Sequence, residues 1–598
     1  MYQFRYVNTM KYKSFNKMKK WSLLLIFSMI GYLSMAQNKA NAAYPFDPAT
    51  QPLKSTDAGE IIERQFSDSK IYPGTQRTYW IYIPKGYVPE KPACLYVCMD
   101  GIQYNAPTVF DHLIASGEMP MTIGVFVGSG QVTNGKNQAI RFNRSNEFDK
   151  TDGTFVRFLL EELLPDAENQ KTKDGRIIHF SKEANDRAIA GASSGAICAF
   201  TAAWQRPDAF SRVFSSIGTY VAMRGGNEYP ALIRKTEPKP LRIYLEDGSN
   251  DTWNPLFGNW YEANLLMESA LNFAGYEVAH TWGRGGHDGI EATSIFPDVM
   301  RWLWKGWPAK VQKGNSLNDM LSAILLKGSD WNEVILQGSP SGELYADEAG
   351  NLIFQNQAGM VYQSDSANQG KPVLKLSANE HLIGTNADEL YIADSKGTIT
   401  CKGAKKDRVI ANGIPNAKNL LVTSENDLYI TQSKDDNESK LWLIKSGGDK
   451  RMIKDQPFGG TYLAIYPNHH LLMQNEKHSQ WIYSYIIDDD GSVKNGQRFY
   501  CLHNTDNFSW VENGKMTFDV KGNMYVASAI GVQVCDQNGR VRAILTIPAG
   551  PISSLVFGGK HHDVLYILSG GKLFSRKLNV QGTEPWMSPI DPESQGAG

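Results

Sequence analysis

The 598 residues exceed what one ordinary core organises, so two or three domains are expected. Hydrophobic residues make up 42% and charged residues 21%, a globular balance that excludes a disordered or fibrous chain. The net charge is −1 with no long run of like charge, which gives no electrostatic footprint for nucleic acid and no interaction tail.

At the start, Lys17, Lys19 and Lys20 precede the apolar run 21–33, and Ser34-Met35-Ala36 and Gln37 follow. Basic, apolar and small-residue regions in that order predict a signal peptide over 1–36, hence a periplasmic or secreted protein. The apolar run is shorter than the roughly 20 residues of a spanning helix, so no stable membrane insertion is expected once the signal is removed. Residues 37–59 read as a polar leader. Cys94 and Cys98 share one predicted strand and sit too far apart to bond, and no cysteine spacing matches a zinc site. Most of the six cysteines read as small buried hydrophobes.

From residue 60 strands and helices alternate. Strands are predicted at 78–83, 94–99, 122–127, 187–190, 212–216, 241–245 and 278–282. Helices are predicted at 154–164 (ending at Pro165), 196–205, 264–274 and 297–304. Apolar strands alternating with helices imply a mostly parallel sheet covered by helices over 60–307. Residues 308–326 read as a linker. Beyond them a polar turn followed by a strand recurs at 350–354, 388–392, 426–430, 470–473, 522–526 and 563–567, with a period of roughly 40–50 residues. Six such units predict an all-β six-bladed propeller over 327–583, and 584–598 read as a disordered tail.

Gly191-Ala192-Ser193-Ser194-Gly195 lies between a predicted strand and a predicted helix. There a G-x-S-x-G pentapeptide places its serine on a strained, exposed turn. Ser193 is the candidate nucleophile. Ser194 is disfavoured by register, and its backbone N–H is a candidate oxyanion donor at a helix start. The acid should follow a later strand and the base should come after it. Asp251 lies in the loop beyond strand 241–245, with Asp247 the next candidate. His287 lies in the glycine-rich loop after strand 278–282, whereas His280 is within that strand. The second oxyanion donor is expected at Asp100-Gly101-Ile102, giving Gly101 and Ile102 as candidates.

These segments, with Tyr72-Pro73-Gly74, Met99-Asp100-Gly101, Arg144-Ser145-Asn146-Glu147-Phe148-Asp149 and Glu161-Glu162-Leu163-Leu164-Pro165, resemble the enterochelin esterase-like (esterase D) superfamily. The resemblance implies an α/β-hydrolase with Ser193, Asp251 and His287 as its triad. It also implies a carboxylic-ester substrate, with acetylxylan and feruloyl esters of plant polysaccharides among the members' substrates. Arg144, Glu147 and Asp149 are expected either to line the substrate cleft or to form structural ion pairs. Residues 481–485, 516–519, 532–540 and 557–559 resemble gluconolactonase/senescence marker protein propellers, whose members hold a divalent cation with a Glu, an Asn and an Asp. The corresponding positions here read Gln337-Gly338-Ser339, Phe458-Gly459-Gly460-Thr461 and Asn513-Gly514-Lys515-Met516. Losing carboxylates removes what a hard cation requires. The expectation is therefore no metal, no cofactor, and a non-catalytic propeller whose Tyr462, Trp481, Tyr483 and Trp510 pack or stack on sugars. The competing readings are a metal-dependent sugar lactonase in the propeller and a siderophore-ester hydrolase in the first domain.

Overall fold

The computed structural model describes residues 47–54, 57–134, 136, 138–364, 369–403, 407–433, 438–456, 459–504, 513–547 and 550–595. The predicted signal peptide, Phe458 and Trp510 lie outside them.

The first domain is built on eight strands: β1 (Glu60–Phe66), β2 (Arg77–Ile83), β3 (Cys94–Met99), β4 (Thr122–Val127), β5 (Arg187–Ala192), β6 (Arg212–Ser216), β7 (Arg242–Gly248) and β8 (Glu277–Gly283). Their order in the sheet is β1-β2-β4-β3-β5-β6-β7-β8. The pairs β1/β2 and β2/β4 are antiparallel, and the remaining pairs are parallel. Strands β3 and β4 are buried at every position, as continuous apolar runs covered on both faces must be. One face packs a core around Phe158, Phe200 and Met267, and the other packs Phe110, Phe214 and Phe296. Strand β7 runs on through Glu246 and Asp247, beyond the predicted end at 245.

The predicted helix at 154–164 does not end at Pro165. Helix Thr154–Phe158 passes through one wide π turn, Leu159–Leu163, into helix Leu164–Glu168. There Leu164 N–H bonds to Leu159 O, and Pro165, which has no N–H to donate, sits at the start of the next helical segment. The last helix of the domain, Ile290–Leu303, contains Pro297 rather than starting there. Five of the six cysteines are buried, Cys501 is half-buried, and none is in a disulfide.

The second domain is six blade sheets around a channel. Each recurring unit of the sequence is the turn and second strand of a blade, including the weak one at 470–473, which lies in Leu471–Asn475. Strand Asn332–Val334, earliest in sequence, forms the outer edge of the last blade through Lys572–Lys577 and closes the ring. The tail beyond Thr583 is packed rather than disordered up to residue 595. Ile590 N donates to Pro467 O (2.9 Å) and Gln595 Nε2 donates to Asn523 Oδ1 (2.8 Å).

The two domains are fastened by helix Tyr229–Lys235 and the segment that follows it. Leu232 joins a propeller core, and Glu237 N donates to Ile544 O (3.1 Å). The Glu237 carboxylate takes a buried two-pronged ion pair from Arg576 (2.7 and 2.9 Å).

Candidate active site

Strand β5 delivers Ser193 to the first position before helix α1 (Ser194–Gln205), with φ 57° and ψ −120°. Such a backbone is strained for a residue with a Cβ, and its neighbours make it feasible. A Cβ on Gly191 would stand 2.3 Å from the Gly195 backbone, so glycine is required where the turn folds back. The Ser193 Oγ is 2.8 Å from His287 Nε2, and His287 Nδ1 is 2.7 Å from Asp251 Oδ1. Thr219 Oγ1 lies 3.2 Å from the same serine oxygen and accepts from Trp260 Nε1 at 3.2 Å. The Asp251 side chain is fully buried, while His287 keeps 30% exposure toward the open side. The three residues come from the ends of β5, β7 and β8, brought to one edge by the parallel sheet.

The carboxylates behind the histidine divide their charge. Burial works to raise the Asp251 pKa, but its hydrogen bonds with His287 and Asp247 outweigh that and hold it below the ordinary value. Burial, the hydrogen bond with Asp251 and the charge of Asp251 push Asp247 up to about 9. Asp247 therefore holds a proton at neutral pH, while Gly248 N (2.7 Å) and Asn264 Nδ2 (2.8 Å) fix its two oxygens. Its neighbour Glu246, hydrogen-bonded by Ser216 Oγ at 2.7 Å, is pushed up to about 8 by burial. Asp247, the alternative acid of the sequence reading, thus supports Asp251 rather than touching His287.

Among the oxyanion candidates, Gly101 donates its N–H to Val127 O (3.3 Å). This corrects the expected pair of loop donors: Ile102 remains in that loop, alongside Ser194 as the first residue of α1, whose N–H has no acceptor within the helix. The Ser194 side chain is buried and faces Asp149.

The expected substrate-lining set splits. Arg144 is part-exposed and grips Asp100 with two hydrogen bonds (2.8 and 2.7 Å) beside the nucleophile turn. Glu147 does not line a cleft. It is fully buried in a two-pronged pair with Arg77 (2.7 and 2.9 Å) and also accepts from Gly130 N (3.0 Å). Asp149 is 2% exposed beneath α1, and burial raises its pKa against Ser145, Ser194 and Arg144. Helix Arg144–Phe148 turns Glu147 and Asp149 inward, which is the structural alternative of the two for both. His280 stays in β8, paired with Glu268 (2.5 Å) and stacked on Trp282. Thr219, Trp260 and Asn264 were not singled out as part of the site by sequence, because no spacing rule links these separate segments to the triad.

In the propeller the sequence registered the acidic position at Gln337-Gly338-Ser339. Glu343, six residues beyond Gln337, is a buried carboxylate that feels the charge of Lys515. Among the described residues, no three His, Cys, Asp or Glu side chains form a metal-holding cluster.

The comparisons with known proteins divide at the same boundary. The Esterase family model matches residues 71–315, and the SMP-30/Gluconolactonase/LRE-like region matches residues 340–571. Over 300 residues, 46% of this chain, the sequence is 23% identical to the iron(III) enterobactin esterase of Dickeya dadantii (strain 3937), and it spans 63% of that relative's length. Among solved structures, a ferulic acid esterase is similar over 41% of this chain and 98% of its own, at 18% identity and a TM-score of 0.32. The calcium-binding protein regucalcin from Agrobacterium tumefaciens strain C58 is similar over 42% of this chain and 93% of its own, at 12% identity and a TM-score of 0.36. The chain thus carries an enterochelin esterase-like domain of the Esterase family, followed by an SMP-30/gluconolactonase-like β-propeller.

Proposed function

We propose that this protein is an exported serine carboxylesterase that cleaves acyl esters, acetyl or feruloyl, of plant polysaccharides or oligosaccharides. The observation that carries the mechanism is the unbroken relay Ser193 Oγ to His287 Nε2 (2.8 Å) and His287 Nδ1 to Asp251 Oδ1 (2.7 Å). His287 takes the Ser193 proton as Oγ attacks the ester carbonyl, and the alcohol leaves with that proton. Water, deprotonated by His287, then releases the acid from the acyl-enzyme. Asp251 orients the imidazole and stabilises its charged form. Ser194 and Ile102 N–H groups serve the oxyanion, and Arg144 is the substrate-facing cation of the set.

Exposed apolar side chains favour a bulky acyl group over acetyl. Ile102, Phe142, Trp253, Leu256 and Ile290 are all exposed, and they sit on the segments that also carry the oxyanion candidates, Arg144, Asp251 and His287. The match to an enterobactin esterase favours, as a second reading, a siderophore ester on the same triad. Export rests on the basic, apolar and small-residue pattern of 17–37.

A panel of acetyl, feruloyl and siderophore esters assayed with wild type and Ser193→Ala tests the reading. Activity on at least one ester that Ser193→Ala abolishes is expected. Equal turnover by both proteins would overturn it.

A further inference from the structure

The propeller channel raises a separate question, because a divalent cation is what its fold family leads one to expect there. The donors present do not fit one. Lys515, just before the innermost strand Met516–Asp519 of the fifth blade, reaches across the channel to the first blade. Its ammonium donates to Leu344 O and lies 4.1 Å from the centre of the Tyr345 ring. Glu343 precedes that same first-blade strand, Leu344–Ala346, and accepts from Ser554 Oγ of the sixth blade at 2.9 Å. Glu584 enters from the tail. Strand Gly582–Thr583 pairs with the innermost strand of the fifth blade (Phe518 with Thr583), and Glu584 and Pro585 follow it into the channel wall.

We propose that the Lys515 ammonium is the propeller's resident cation, lying in the field of Glu343 and Glu584 where a divalent ion would have to bind, and that the C-terminal segment seals the channel by supplying the second carboxylate. Burial alone disfavours the ammonium, and the charges of Glu343 and Glu584 oppose that effect. The relation is reciprocal: burial pushes Glu343 and Glu584 upward, and Lys515 works to keep both ionised. Glu584 Oε1 is buried with no hydrogen-bond partner, so its interaction with Lys515 is through charge.

The remaining space is a cavity of about 40 Å³ bordered by Tyr345, Asn419, Lys515 and Glu584. Ligand pockets run to about 300–1,000 Å³, so a sugar lactone has no room. A calcium ion asks for about six to eight oxygen ligands and no cation beside it. The tail is held beyond the channel as well, through Asn468 Nδ2 to Asp591 Oδ1 (3.2 Å) and Gln537 Nε2 to Glu593 O (2.8 Å). The inference is independent of the esterase reading, since it concerns only the propeller.

The test uses the full chain. Metal content after dialysis against calcium or manganese, and melting with and without EDTA, are measured for wild type, Lys515→Met, Glu584→Gln and the double variant. Wild type is expected to hold no stoichiometric metal and to melt unchanged by calcium or EDTA. Lys515→Met leaves Glu343 and Glu584 without the cation whose charge both feel and is expected to gain calcium binding, read as a melting rise of about 2–4 °C. Glu584→Gln should lower the melting temperature of wild type and raise that of Lys515→Met, because the carboxylate changes from the partner of a cation to a buried charge without one. If Lys515→Met fails to fold alone, the double variant, relieved of that unpaired charge, is expected to fold and carries the comparison. One equivalent of divalent metal in wild type would overturn the proposal. So would a folded Lys515→Met that ignores calcium, or a Glu584→Gln effect of the same sign in both backgrounds.

Discussion

At the scale of single residues, the site assigns different protonation states to two aspartates only four positions apart. Asp251 is held ionised by His287, and Asp247 is held neutral by burial and by Asp251. Asparagine imitates a protonated carboxyl but not a carboxylate. Steady-state kinetics should therefore separate the two: Asp251→Asn should lose about 10⁴-fold in kcat, whereas Asp247→Asn should stay within a few-fold of wild type. Comparable losses in both would mean that Asp247 is itself the acid. A stability signature follows from linkage. Between the ordinary carboxylate pKa and about 9 the unfolded chain has released the Asp247 proton while the folded chain keeps it, so this group's contribution falls as pH rises through that window. Asp247→Asn removes the dependence, and its melting temperature relative to wild type should climb steadily from pH 5 to pH 9. A constant difference across that range would show that the proton is not there. Ser193, Asp251 and His287 were legible in sequence because each follows a strand and chain order constrains the set. Asp247's role was not, since sequence shows its spacing and not its burial.

At the scale of elements, the nucleophile turn is a steric construction. Gly191→Ala would bring a methyl group to 2.3 Å from the Gly195 backbone, which no rotamer relieves. Overpacking of this kind costs about 1–3 kcal/mol in stability, and a displaced reacting atom can cost 10²-fold in rate. The expected result is a folded enzyme with kcat/KM down by about 10²-fold or more. Unchanged kcat/KM would mean that the turn tolerates the displacement. The Arg77–Glu147 pair has the opposite character, remote from the reacting atoms and structural. Glu147→Gln leaves a buried guanidinium without its counter-charge and should destabilise by about 3–5 kcal/mol in denaturant melts, with KM little changed in the folded fraction. A large KM change without loss of stability would return Glu147 to the cleft. Sequence could not tell these roles apart. Arg144, Glu147 and Asp149 fall within one window of six residues, and the helix they form turns them to different sides.

At the scale of the whole molecule, the two domains share buried chemistry. Glu237 follows the helix Tyr229–Lys235, and its partner Arg576 lies in the last blade and also donates to Ser329 O (2.7 Å). Glu237→Gln should weaken the seam by about 3–5 kcal/mol and separate the unfolding of the propeller from that of the sheet domain in calorimetry. A single unaltered transition would show that the pair does not couple them. The segment 217–235 links Thr219, beside the Ser193 hydroxyl, to the propeller contact at Leu232. The propeller therefore buttresses the stretch of chain that borders the nucleophile.

The sequence by itself determined the two architectures, the blade count and the chain order of Ser193, Asp251 and His287. Those features are periodic or local: apolar runs of strand length, turns repeated at a fixed interval, and glycines where a backbone must fold back. Only the tertiary structure decided which charges are buried and with what partner. It gave Gly101's N–H to Val127, turned Glu147 and Asp149 away from the cleft, and folded the tail into the channel beside Lys515. Burial and pairing depend on residues far apart in the chain, so a pattern of residue types shows a charge without showing what surrounds it.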